Sequence, residues 1–121
     1  MINRRRDKRI IMSGSATLKF EKEGEIQSVR TLIANMSLRG IGLYSDSSII
    51  VGTSVSITIV FIALSGGIKT DSVEGRVIDV RRIENTHIMG IRFDEEITAQ
   101  NQPSLFKHLQ NTISFQQIIS Q

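Results

Sequence analysis

Apolar and polar residues alternate with a period of two through most of this chain. Ala16, Leu18 and Phe20 alternate with Thr17, Lys19 and Glu21, "EKEGE" then offers a turn at Gly24, and a second run extends from Ile26 to Ala34. Alternation sorts side chains onto the two faces of a strand, and glycine permits the reversal, so this segment reads as a hairpin. Ile41 and Leu43 alternate with Gly40, Gly42 and Tyr44, and Val55, Ile57, Ile59 and Phe61 alternate with Ser54, Ser56 and Thr58. After a turn at "SGG", Ser65 to Gly67, a long strand opens with Val73, Gly75 and Val77, and a turn near Glu84 to Thr86 returns it as Ile88 to Phe93. The pattern predicts six strands.

The period changes near the end. Pro103 suits a first helical turn, and Leu105, Phe106, Leu109, Ile113 and Ile118 recur at helical spacing. Six antiparallel strands within about 80 residues leave edges that a small protein removes by curling the sheet closed. The predicted fold is therefore mainly β, a six-stranded antiparallel β-barrel with a C-terminal α-helix over one mouth. A single domain is expected across residues 1–121, with an arm at 1–9, the barrel at 10–97 and a helical segment at 98–121.

Composition agrees with one folded domain, since 40% of the 121 residues are hydrophobic and 22% charged. The chain has no Trp, so Ile, Val, Leu and Met must build the core, and it has no Cys for disulfide or thiol chemistry. The apolar "IIM" that follows the first basic residues breaks at "SGS", too early for a secretory signal. The run Val60 to Leu64 falls far short of the ~20 residues a spanning helix needs. A cytoplasmic protein without membrane insertion is expected.

Catalytic constellations are missing from the sequence. His87 and His108 stand apart from each other and lack the neighbours of a metal site, so both are expected at the surface or at strand ends and no metal is assigned. "DEE", Asp94 to Glu96, reads as a solvated turn before the helix. No nucleophile elbow or Walker-type loop occurs. The chain is read as no enzyme, with no catalytic residues.

Two stretches remain. The formal charge is only +3, yet Arg4, Arg5, Arg6, Lys8 and Arg9 in "NRRRDKR" supply five of the 15 cations, so the basicity is local. "NMSLRGIGL", Asn35 to Leu43, follows the first hairpin. Separately, the first reads as a solvated tail and the second as a turn in which Asn35 and Ser37 cap backbone groups and Gly40 takes a conformation that other residues resist. A turn that displays an amide, a hydroxyl and bare backbone together can also meet a base edge and a phosphate.

Taken together, in this order and spacing, the two stretches resemble the PilZ domain family, whose signature is RxxxR, commonly RRxxR, then [DN]xSxxG after one hairpin. The resemblance covers nearly the whole chain as a single-domain member. It implies a six-stranded barrel that binds cyclic di-GMP, a bacterial second messenger, with no other cofactor. By position, Arg5 and Arg9 match the two family arginines, Arg6 the common middle one, and Asn35, Ser37 and Gly40 the second motif, with Arg4 as a possible additional cation. An arginine fork matches the paired O6 and N7 acceptors of guanine, and a second can grip phosphate or stack on the purine. Asn35 stands where many members carry Asp, which leaves one acceptor oxygen in place of two.

The resulting expectation is a receptor whose arm is loose without ligand, closes over cyclic di-GMP and signals to an unidentified effector protein. Two alternatives are a nucleic-acid-binding barrel with a basic arm and a PilZ-like interaction module that binds no ligand. The sequence pI of about 9.7 favours the first of these. The strands, however, lack the interleaved aromatics that base stacking uses, and Tyr44 is the sole Tyr.

Overall fold

The computed structural model describes residues 9–63 and 65–119, the last six of them by backbone only. Six strands run in chain order, β1 Gly14–Lys22, β2 Glu25–Met36, β3 Gly40–Ser45, β4 Ser54–Ile62, β5 Ile68–Ile83 and β6 Thr86–Phe93, before a helix, α1, at Pro103–Ile119. Every pairing is antiparallel, and the sheet closes in the order β1, β2, β3, β6, β5, β4 and back to β1. The barrel interior holds the residues that alternation assigns to it, including Leu18, Ile41, Leu43, Ile57, Ile59 and Phe61, all at most 1% exposed. Burial on this scale is the main favourable contribution to folding.

Turns follow residue chemistry. Glu23 and Gly24 both take positive φ, 54° and 83°, in the two-residue turn joining β1 to β2, a geometry that matches the right-handed twist of a hairpin. Pro103 opens α1, as its fixed φ and missing N–H allow. The Leu105 N–H donates to Asp71 Oδ2 at 3.1 Å, so a β5 side chain satisfies one of the helix's first amides. Leu105 and Leu109 are buried in the core cluster, and Phe106 and Ile113 pack against it, which seats the helix on the barrel end where β5 begins. No helix is long and apolar enough to cross a membrane among the described residues.

Two bulges interrupt the alternation. On β2 the register shifts between Ile33 and Asn35, and on β5 between Val77 and Asp79. Strict alternation from Ile33 would point Asn35 inward and Met36 outward. The bulge reverses this, pairing Asn35 with Gly42 and placing Met36 at 0% exposure opposite Ile41.

Two sequence expectations need correction. His108 is not at the surface: it is 7% exposed, its ring centroid lies 5.0 Å from that of Phe61, and burial holds its pKa below the ordinary imidazole value. Its position one turn after Leu105 puts it on the barrel-facing side of α1. The arm is not loose at its root, because Arg9 donates a hydrogen bond to Asn35 and the adjoining Ile10 exchanges backbone hydrogen bonds with Met36. The "DEE" segment is the expected exposed bend, and from it Glu96 accepts a hydrogen bond from Arg39 Nε at 3.1 Å. His87 does lie at a strand end, with Nδ1 3.2 Å from the Asp46 carbonyl oxygen.

Candidate functional site

The turn between β2 and β3 is fixed by its backbone before any side chain is displayed. The Ser37 N–H donates to the Gly40 carbonyl at 2.9 Å, and the Ser37 hydroxyl oxygen accepts from the Arg39 N–H at 3.2 Å. Behind the turn, Phe93 N–H donates to the Arg39 carbonyl and Ile97 N–H to the Leu38 carbonyl, each at 2.8 Å. Ser37 is 4% exposed, so its first duty is to close this turn.

Arg9 reaches across from the end of the arm. Its Nη1 donates to Asn35 Oδ1 at 2.6 Å, which joins one member of each sequence motif directly. The backbone pair between Ile10 and Met36 holds the two chains at this spacing. Gly40 lies beneath them. A β-carbon there would sit 2.6 Å from the Ile91 carbonyl oxygen and 3.7 Å from Arg9 Nη2. Gly40 is not among the residues of positive φ, so the sequence expectation of a special backbone conformation is replaced by one of close approach.

Of the candidate residues, Arg9, Asn35, Ser37 and Gly40 are thus brought to one end of the barrel. Arg4, Arg5 and Arg6 fall outside the described residues.

Sequence reasoning missed part of this surface. Gly42 lies under Asn35, where a β-carbon would be 3.0 Å from Oδ1, and Gly42 pairs with Gly90 of β6, which pairs with Asp79 of β5. Gly40 pairs with exposed Arg92. A row Asn35, Gly42, Gly90, Asp79 therefore crosses four strands on the outer face with no side chain at its centre. The alternation in "GIGL" is the signal for Gly42. Gly90 and Arg92 become visible only with the register. Gly42 is buried under the Asn35 amide, so the missing side chain lets that amide lie flat against the sheet beside Arg92 of the next row.

The PilZ domain family model matches residues 3–111. The chain belongs to the PilZ family. Among solved structures, Bacillus subtilis inhibitor of motility, MotI/DgrA, aligns with TM-score 0.74 at 21% identity over 95% of this chain, and the chain spans about half, 52%, of that structure's length. The PilZ domain of Escherichia coli YcgR, solved with c-di-GMP, aligns with TM-score 0.57 at 17% identity over 97% of this chain and 95% of that one. A tetrameric PilZ protein from Xanthomonas campestris aligns with TM-score 0.55 at 21% identity, over 74% of this chain and 47% of that one. At these identities the structural likeness speaks for the fold. No curated protein matches the chain. Members of the PilZ family serve as ligand-binding and adaptor modules, and this chain shares their barrel.

A groove of about 780 Å³ lies elsewhere. Its lining includes Arg30, Tyr44, Asp46 and Glu84 and shares no residue with the motif turn.

Proposed function

We propose that this PilZ domain is a cytoplasmic, non-enzymatic receptor for cyclic di-GMP that passes the ligand signal to an effector protein. The observation that carries the reading is the 2.6 Å hydrogen bond from Arg9 to Asn35, which joins the RxxxR and [DN]xSxxG motifs over two glycines. Arg5, Arg6 and Arg9 would supply guanidinium forks to guanine edges and the two phosphates, with Arg4 adding a further cation. Asn35 would accept from a guanine, and Ser37 and Gly40 would hold the turn at the spacing the ligand requires. The ligand is thus met by charge from the arm and by shape from the barrel. Arm residues brought against the bound dinucleotide would form a surface that exists only in the complex, and the effector reads that surface.

Calorimetry tests the reading. Cyclic di-GMP is expected to bind with micromolar or tighter affinity, linear pGpG far less well, and single-stranded oligonucleotides not at all. Absence of heat with cyclic di-GMP at tens of micromolar would leave a module that binds no ligand. Oligonucleotide binding instead would return the basic arm to nucleic acid.

A further inference from the structure

The barrel is closed by pairing, but not along its full length. β2 pairs with β3 only through Leu32–Met36, so residues 25–31 have β1 on one side and no strand on the other among the described residues. The two-residue turn makes Lys22 and Glu25 a hydrogen-bonded pair. Alternation then directs the N–H and C=O groups of Ile26, Ser28 and Arg30 to the open side.

This edge is poorly guarded. The end of β5 also extends past its pairing with β4, yet it carries a bulge together with Asp79, Arg81 and Arg82, which are common means of blocking edge association. On β2 the open positions hold Ile26, 69% exposed, Ser28 and Arg30, with neither bulge nor proline. Leu32, 63% exposed, continues the face to Tyr44 and Ile88, which follow it in one cross-strand row.

We propose that this edge binds a second copy of the chain, β2 against β2, in antiparallel register about a two-fold axis at Ser28. Among two-fold registers this one uses the whole edge. Ser28 meets Ser28, and each Arg30 meets the Ile26 of the other copy. Because Glu21 pairs with Ile26 within a chain, Arg30 of one copy faces Glu21 of the other across that isoleucine. The arginine stem covers the apolar side chain while its head reaches the carboxylate. A register centred on Arg30 would instead set like charges opposite each other, which disfavours it. In the proposed register the Glu23–Gly24 turn of each copy stops against the end of the other copy's β3, where Leu32 pairs with Tyr44. The groove of about 780 Å³ lined by Arg30, Leu32, Tyr44, Asp46, Ile83 and Ile88 borders that end of the edge.

Sedimentation velocity on the full chain without ligand, from about 10 μM to about 1 mM, is expected to show a reversible dimer. Ser28→Pro removes an N–H that faces the open side and leaves the β1 ladder intact, so it should weaken association at least about tenfold without lowering the melting temperature of the dilute protein. Arg30→Glu should weaken it similarly, and adding Glu21→Arg to Arg30→Glu should restore the dimer. If Ser28→Pro disturbs folding, this charge exchange still decides the matter. A chain monomeric over the whole range, association that survives Ser28→Pro in a folded protein, or no restoration in the double exchange would each overturn the proposal.

Discussion

The two ends of the PilZ barrel treat backbone polar groups in opposite ways. At the motif end, Ser37 bonds to Gly40, Ile10 to Met36, Phe93 to Arg39 and Ile97 to Leu38, and an ion pair at 3.1 Å ties Arg39 to Glu96. At the hairpin end, β2 runs seven residues, 25–31, with one side unpaired among the described residues and Ile26 in the open. Small-ligand recognition needs side chains at fixed spacing, so the backbone beneath them is saturated. Association by strand pairing needs the reverse, an edge with hydrogen-bonding capacity left over.

One glycine at each end puts that contrast at risk. Gly40→Ala forces a β-carbon to within 2.6 Å of a backbone oxygen, in a region where several hydrogen bonds resist movement, and is expected to cost about 2–3 kcal/mol of stability. Gly24→Ala meets nothing within 4 Å, but its φ of 83° strains any residue with a β-carbon, at about 1–2 kcal/mol. Denaturant melts should therefore rank Gly40→Ala below Gly24→Ala, and only the first should also lose cyclic di-GMP binding. Equal losses would mean that the motif end yields as readily as a surface turn.

Arg9 separates binding from stability at the saturated end. Arg9→Ala is expected to weaken cyclic di-GMP binding by about 2 kcal/mol, roughly thirtyfold, as a lost charged hydrogen-bonding group does, while stability changes by about 1 kcal/mol or less. A thermal melt beside a titration distinguishes the two. An early-melting protein with unchanged affinity would make Arg9 a structural clamp for Asn35.

Asn35 offers a smaller effect of opposite sign. Its single acceptor oxygen already receives Arg9. A carboxylate would keep that contact, gain charge assistance and leave a second oxygen for guanine. Asn35→Asp should thus tighten binding by about 1 kcal/mol, near fivefold. Unchanged or weaker affinity would show that the base is not read at this position.

Much of this was legible in the chain. Alternation placed all six strands and the glycine turn, and apolar spacing located the helix. The second motif was found as a string, Asn35, Ser37 and Gly40, but the reason for each was only partly visible. Gly40 looked like a residue needed for its dihedral freedom, whereas the Ile91 carbonyl beside it makes the demand, and that neighbour lies on a strand far away in sequence. Asn35 faces outward because of a bulge, and a bulge leaves the run of residue types looking like ordinary alternation apart from the spacing of Ile33 and Met36. Gly90 and Arg92 joined the surface through register. The open edge of β2 was also beyond the sequence, since it depends on where β3 stops and not on anything within residues 25–31.

The smallest effect tests how α1 is held at the motif end. His108 sits against Phe61 with Nδ1 buried and without a hydrogen-bond partner among the described residues, and burial lowers its pKa from the ordinary 6.5. The unfolded chain therefore takes up a proton at higher pH than the folded one, so stability is full above 6.5 and declines as the pH falls from there toward the lowered folded value. Asp71, which accepts the Leu105 N–H, behaves oppositely. Its pKa is raised, chiefly by desolvation, so the folded state binds a proton more readily and gains stability as the pH falls through the raised value. His108→Phe should remove the decline that begins near 6.5 and, by replacing an unpartnered polar atom with an apolar ring edge, raise stability at neutral pH by about 1 kcal/mol. Urea midpoints for wild type and variant between pH 7.5 and 5 provide the check. A decline that persists in the variant would come from another titrating group, and α1 would then be held against the barrel by its apolar contacts and the Asp71 hydrogen bond, without regard to the charge of the imidazole.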